Sequence, residues 1–259
     1  MDDVLEQALR LAATDPAARP AFYRALLDAE VVVIGRSNGT VDDDGRLSPG
    51  SHLSLAHWRA PDDTLFVPFF SSEARLHAAA PAETSILRLH ARALFETARG
   101  SVLVLNPGAE VGKEFAPGEI DALLDHGVAH AADPHVVESA RQVLLGQPAE
   151  RPDALITAVS ALLAGHANVR AAYLARMDDP SRPPPSLVIG LEGDGDLDAA
   201  LREVGSVAAD TAPRDTPVDL VEVRRGDDGL SDYFLRSVEP FYRRPAGGFG
   251  GRLRALFGG

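Results

Sequence analysis

The sequence predicts a mixed α/β protein, α+β in class, built as two domains that each pack a small sheet with helices. Three observations lead there. The chain has 259 residues, 45% of them hydrophobic and 24% charged, enough for two ordinary domains of soluble composition. Short apolar and β-branched runs of strand length alternate with stretches of helical period. Residues 128–152 then change character, with breaks at Asp133-Pro134 and Gln147-Pro148, and the domain junction belongs inside them. The expected layout is a first domain over 1–130 and a junction over 131–152, which has room for the second domain's first strand. A second domain over 153–244 and a glycine-rich basic tail over 245–259 complete it.

Leu5, Ala8, Leu9 and Ala12 share one helical face, so the chain opens with an amphipathic helix. Asp15-Pro16 stops it, and a second helix follows over about 20–29, with Phe22, Leu26 and Ala29 on one side. Val31–Ile34 is a β-branched strand. The polar stretch Gly35–Ser51 reads as a loop. Leu53–Trp58 and Thr64–Phe69 flank the turn Ala60-Pro61-Asp62-Asp63 and form a hairpin. Ser71-Ser72-Glu73 caps a helix reaching about Ala80. Ile86–Leu89 fits a short strand or a helix, and a helical piece runs through Leu94 and Phe95. Ser101–Leu105 is a buried strand stopped by Asn106-Pro107-Gly108. Pro117 opens a helix with Ile120, Leu123 and Leu124 inward, closed by Gly127.

Val136–Leu145 is ambiguous between a helix and a strand at its end. Beyond it come a helix over Asp153–Ala164, strands at Val169–Met177 and Leu187–Leu191, a helix over Leu197–Ala208 and a strand at Val218–Val223. Pro240-Phe241-Tyr242 closes the folded part.

Composition removes several function classes. A net charge of −13 argues against a general nucleic-acid binder, since phosphates are repelled. The longest apolar run, near Ala154–Ala164, is core-helix length and well short of the ~20 residues of a membrane span. The opening MDDVLEQALR is acidic and amphipathic, unlike a signal peptide. Without cysteine there is no disulfide, thiolate metal site or cysteine nucleophile. Lys113 is the only lysine, which confines Schiff-base chemistry to one position. A cytoplasmic protein of bacterial style, with no cofactor and no metal, is the expectation.

Gly35-Arg36-Ser37-Asn38-Gly39 satisfies G-x-S-x-G directly after a strand, the setting of a hydrolase nucleophile. Its sequel, Thr-Val-Asp-Asp-Asp-Gly, cannot form the helix that motif needs, and three carboxylates would oppose an oxyanion. A loop is the favoured reading, with a serine hydrolase using Ser37 as the catalytic alternative. His126, His130 and His135 are interrupted by Gly127 and Pro134 and read as solvated linker rather than a metal site. Asp42-Asp43-Asp44-Gly45 and Asp194-Gly195-Asp196 resemble calcium-loop fragments, but Ser51 and Leu201 stand where the twelfth-position glutamate belongs. Both read as turns.

Two strand-ending loops carry the candidate ligand site: Phe70, Ser71 and Ser72 after one strand, Asn106 and Gly108 after another. If the two strands run parallel in one sheet, both loops open on the edge where α/β proteins bind ligands. Hydroxyls, an amide and the N–H groups of a helix start would then be available. The competing reading is a helix cap and a turn. A second candidate is the tail. Arg243–Gly259 holds four arginines and no acid, and Arg252, Leu253, Arg254, Leu256 and Phe257 could fold onto a partner.

These loops also carry a family resemblance. Leu65–Glu73, with Pro68-Phe69-Phe70-Ser71-Ser72 inside it, resembles the P-x-F-T-S segment of the SseB N-terminal domain, serine replacing threonine. Val102–Gly108 resembles that domain's L-V-L-N-P-G segment, and Leu5–Leu27 its paired opening helices. Leu145-Gly146-Gln147-Pro148, Pro152, Ala172-Tyr173-Leu174 and Pro240-Phe241-Tyr242 are similar to the SseB C-terminal domain. The resemblance implies a bacterial two-domain protein linked to serine sensitivity, and it brings no catalytic residue or cofactor to this chain. The resulting expectation is a non-catalytic binding or regulatory protein whose partner is a protein or a small polar metabolite. The alternative to protein binding is an amino acid or similar metabolite held near Ser71 and Asn106.

Overall fold

The computed structural model describes residues 2–37, 39, 53–81, 84–127, 143–180 and 183–245. The Asp42–Gly45 turn, His130, His135 and the tail residues Arg252–Phe257 lie outside them. The chain divides into two compact units, Met1–Asp133 with Arg202–Ala212, and Pro134–Leu201 with Pro213–Gly259.

The first unit opens with α1 (Asp2–Thr14). Asp15 accepts a hydrogen bond from the Ala17 N–H and starts a single 3-10 turn before α2 (Arg19–Leu27). Then come β1 (Glu30–Ser37), β2 (Leu53–Leu55), β3 (Trp58–Arg59), β4 (Leu65–Phe70), α3 (Glu73–Ala79), β5 (Ile86–His90), α4 (Ala91–Thr97), β6 (Val102–Leu105), β7 (Lys113–Phe115) and α5 (Pro117–His126). The strands form one sheet, with the path β2-β1-β4-β6-β7 and with β5 on β1 and β3 on β4. Only β4 and β6 run parallel in it.

Alternation along the strands builds two layers of core. Val31, Val33, Val67, Phe69, Leu103 and Leu105 join the main core, which also takes Leu5 and Leu9 of α1, Phe22 and Leu26 of α2, Phe95 of α4 and Ile120 of α5. Phe69, Phe95 and Phe115 pack there with ring centroids 5.2–5.9 Å apart. Val32 and Phe70 point the other way and pack with Leu76 of α3, Trp58 and Ile34 in a smaller core.

The second unit's strands are β8 (Leu144–Gly146), β9 (Val169–Asp178), β10 (Ser186–Gly193), β11 (Val218–Glu222) and β12 (Tyr242–Arg243). Their order is β11-β10-β9-β12, with β8 also on β9, and only β10 and β11 are parallel. α6 (Asp153–Leu163) precedes β9, α7 (Asp198–Thr211) links β10 to β11, and α8 (Leu230–Ser237) follows β11. Ala171, Tyr173, Ala175 and Met177 of β9 form a core with Val188, Val223 and Phe234 of α8.

Several expectations change in detail. β1 runs on through Gly35, Arg36 and Ser37, which pair with Leu55, Ser54 and Leu53, so the first part of the presumed loop is strand. The hairpin is present, as Trp58 faces Phe66 and Arg59 faces Leu65, but its first strand splits into β2 on β1 and β3 on β4. Ile86–His90 is strand, paired along five residues of β1. β7, α8 and β12 had no counterpart in the sequence reading. β7 and β12 are too short for a periodic signal. α8 follows a glycine- and aspartate-rich turn and holds only eight residues.

Candidate functional site

The register of the parallel pair fixes the site. Phe69 of β4 lies beside Leu105 of β6, so the next residues, Phe70-Ser71 and Asn106, leave the sheet at one level on one edge. The Asn106 N–H donates to the Phe69 carbonyl at 2.9 Å, and its backbone turns left-handed at φ 49°, a conformation asparagine tolerates. Gly112 is required behind this corner: a Cβ there would stand 2.7 Å from the Leu105 carbonyl and 2.9 Å from that of Asn106.

Buried Ser71 and Asn106 bind each other twice. The Ser71 N–H donates to Asn106 Oδ1 and Asn106 Nδ2 donates to Ser71 Oγ, both at 3.0 Å. The single hydroxyl proton of Ser71 goes to Glu6 Oε1 on α1 at 2.9 Å, because a carboxylate is the stronger acceptor. Glu6 also takes a two-point contact from Arg75 of α3, Nε at 2.8 Å and Nη2 at 2.5 Å. The Arg75 hydrogen bond, assisted by Ser71 and opposed by burial, holds the Glu6 carboxyl at about 2. Ser72 Oγ accepts the Arg75 N–H at 3.3 Å and caps α3. The hydroxyls and amide expected to face a ligand are therefore spent on one another, on Glu6 and on the helix cap.

Above this closed set lies a groove of about 580 Å³. Trp58, Phe70, Arg75, Ala78 and Ala79 line it together with the Asn106–Ala109 corner. The Trp58 ring meets Phe66 and Phe70 edge-on, with centroids 6.3 and 6.1 Å apart. The two loops named from sequence thus share one concave surface, but apolar walls and a guanidinium dominate its lining.

The other sequence candidates fall elsewhere. Ser37 sits in the antiparallel β1–β2 pair, and its Oγ accepts the Gly39 N–H at 3.1 Å. That bond closes a local turn, and the residues that would have to supply the helix of a nucleophile elbow, 40–52, lie outside the described residues. Asp194 pairs with Arg170, and Asp196 Oδ1 accepts the Asp198 N–H at 2.8 Å at the start of α7. Both carboxylates hold a turn. His126 ends α5, and Gly127 closes the helix at φ 74°. Among the described residues no three His, Asp or Glu side chains converge as a metal site.

The second parallel pair has its own polar cluster. Glu192 of β10 is 6% exposed; it accepts the Tyr173 hydroxyl at 2.8 Å and Arg225 Nε at 3.0 Å. Burial pushes the Glu192 carboxyl up, and Tyr173 and Arg225 together bring it below the ordinary range. Burial, followed by the Glu192 hydrogen bond and charge, raises the Tyr173 phenol to about 12.

Sequence reasoning missed Glu6, Arg75 and Trp58 in the first cluster and Tyr173, Glu192 and Arg225 in the second. Glu192 had a signal, a carboxylate directly following the apolar run Leu187–Leu191. Glu6 had none, since it occupies a polar position of an amphipathic helix like its neighbours.

Comparison with known proteins gives a consistent result over both units. The SseB protein N-terminal domain matches residues 5–122, and the SseB protein C-terminal domain matches residues 137–244. The protein SseB of Escherichia coli strain K12 is 36% identical over 245 residues, spanning 95% of this chain and 93% of that protein. The protein SseB of Shigella flexneri matches with the same identity and coverage.

Proposed function

The chain belongs to the SseB family, and from that premise we propose that it is a non-catalytic binding module acting in the bacterial cytoplasm. Its contact surface is the groove at the β4–β6 edge. One observation carries this reading: the end of β4, the α3 wall and the corner after β6 line a single groove, while the Ser71, Asn106 and Glu6 side chains beneath it are satisfied by one another. Such a lining recognises by shape and apolar contact. It does not combine a nucleophile with a base. Consistent with a role away from the bilayer, no helix among the described residues is long and apolar enough to cross a membrane.

A protein segment suits the groove better than free serine or a related amino acid. A zwitterion needs an anion for its ammonium group and a cation for its carboxylate. Among the described residues the groove is lined by no acidic side chain, and the Arg75 guanidinium in its wall is held by Glu6. The family's link to serine sensitivity then reflects the partner rather than direct serine binding.

The test uses Ala78→Arg, which puts a long side chain on an exposed wall of the groove. Affinity capture from native bacterial lysate with the wild-type chain enriches a partner that Ala78→Arg fails to enrich. Equal enrichment by both proteins rejects the groove, and enrichment of nothing by either rejects the binding module.

A further inference from the structure

We propose that the open edge of β11 is a strand-acceptor site and that its occupant is this chain's own segment 252–257, which pairs with it antiparallel and extends the second sheet by one strand. The site lies apart from the groove and does not depend on it. All of its parts belong to the second unit.

The acceptor is read from the ladder. Among the described residues β11 pairs with β10 alone, and in parallel. The Leu187 N–H donates to the Pro217 carbonyl at 2.9 Å, and the Val223 N–H to the Leu191 carbonyl at 2.8 Å. Bonding residues alternate along a strand, so Pro217, Asp219, Val221 and Val223 face β10. Val218, Leu220 and Glu222 then turn their N–H and C=O groups to the open side. All five residues of β11 are half-buried. The other outer strands of this sheet, β8 and β12, hold only three and two residues. An apolar edge of this length is a template for another strand.

The segment matches that edge residue by residue. Residues 252–257 read Arg-Leu-Arg-Ala-Leu-Phe, with Leu253, Ala255 and Phe257 on one face when extended. They lie outside the described residues. Set antiparallel with Arg252 opposite Glu222, they place Leu253 opposite Val221, Arg254 opposite Leu220 and Leu256 opposite Val218. Arg254 is then also diagonal to Glu222, within reach of its carboxylate. The charged residues of β11 are Asp219 and Glu222, both acidic, and those of the segment are both basic. Glu222 Oε2 takes Arg224 Nη2 at 2.6 Å, which leaves Oε1 for Arg252. A slip of one residue either way sets Arg252 against Val221 or Val223 and turns every side chain to the other face.

Direction and reach agree with this pairing. The Arg244 N–H donates to the Arg170 carbonyl at 2.8 Å, so the chain leaves β12 beside the first residues of β9. Gly193, the last residue of β10, pairs with Val169 at the same end, and β11, parallel to β10, finishes there too. A segment reaching β11 from that end runs antiparallel to it. The position beyond β11 is four strand spacings from β12, about 19 Å. The stretch from Arg244 to Arg252 reaches about 26 Å when extended, and Gly247, Gly248, Gly250 and Gly251 within it permit the turn.

The chain has no cysteine, so an introduced pair reports on this contact alone. Val221→Cys with Leu253→Cys in the full chain, oxidised in dilute solution, closes an intrachain disulfide, because directly opposed positions lie within bonding range. The control, Val221→Cys with Arg254→Cys, puts the second thiol on the other face and closes about tenfold more slowly. Hydrogen exchange on the cysteine-free chain gives a second measure. Arg254→Pro removes the N–H opposite Leu220, lowers protection of the Leu220 and Glu222 amides about tenfold, and leaves the β9–β10 amides unchanged. Equal closure or none in the two pairs, a disulfide-linked dimer in place of the intrachain bond, or β11 amides indifferent to Arg254→Pro each overturns the proposal.

Discussion

Each unit contains one parallel strand pair among its described ladders, β4–β6 in the first and β10–β11 in the second, and the two edges are finished differently. At β4–β6 a neutral amide and a serine lock the two corners together beneath the surface, and an apolar groove remains above them. At β10–β11 the polar group is a buried carboxylate, and Arg225 from the following loop lies across it. Ser231 of α8 fixes that loop by accepting the Arg224 N–H at 3.2 Å. The carboxyl edge of a parallel pair is thus only an opportunity for binding. What decides is whether the loops close over their own polar groups or beside them.

The largest expected difference between the edges comes from removing the central polar group of each. Asn106→Ala leaves the buried Ser71 N–H unpaired and puts alanine at positive φ, costing about 3 kcal/mol. Glu192→Ala leaves the Tyr173 hydroxyl without its acceptor but frees the exposed Arg225 to water, costing about 2 kcal/mol. Native-state hydrogen exchange separates the units: β4 and β6 amides lose protection in the first variant, β9 and β10 amides in the second. A larger cost for Glu192→Ala would reverse the ranking.

Acid sharpens the contrast next. The Glu6 carboxyl is lowered to about 2 in the folded chain, so its stabilisation is complete above the unfolded pKa of about 4.3 and disappears as pH falls toward the folded value. Glu6→Gln should cost about 1–2 kcal/mol at pH 7, discounted because Arg75 is partly exposed. Melting curves of both proteins should converge near the bottom of that window. A constant difference down to acid pH would remove the carboxylate from the account.

Alkali probes the other edge. The Tyr173 phenol is raised to about 12, so the unfolded chain loses its proton first and the associated stability declines as pH rises from about 10 toward the folded value. Burial and Glu119 raise Tyr23 as well, so the alkaline slope has two sources. Tyr173→Phe should lower stability by about 1 kcal/mol at neutral pH and reduce, without abolishing, that slope. An unchanged slope would mean that Tyr173 does not titrate there.

The smallest effect concerns the α3 wall of the groove. Ser72→Ala removes a helix cap at a cost of about 1 kcal/mol and should weaken partner capture while leaving the β10–β11 edge untouched in hydrogen exchange. Loss of protection in both units would show that the edges are coupled.

Most elements were legible because their signals are local. The period of α1, the β-branched β1, the Ser72 cap and the Asn-Pro-Gly stop are each written in a few adjacent residues. Even the candidate loops could be named, since each directly follows an apolar strand. The resemblance to SseB was likewise carried by short contiguous motifs. Local pattern failed where an element is very short, as with β7 and β12, or where pairing alone makes it a strand. Gly35–Ser37 is the clearest case: the composition reads as loop, but the β2 ladder satisfies its backbone.

By itself, then, the sequence determined the α/β class, the order of most helices and strands, and two strand-ending loops that would meet only if their strands ran parallel in one sheet. Tertiary structure alone decided what those corners do. Ser71 meets Asn106 across 35 positions, Glu6 across 65, and Glu6 meets Arg75 across 69. Hydrogen bonds and ion pairs form between groups brought together in space, and the parallel register of β4 and β6 brings these together. Only then is it settled that the polar side chains hold one another, and that Trp58, Phe70 and one edge of Arg75 are left to face the groove.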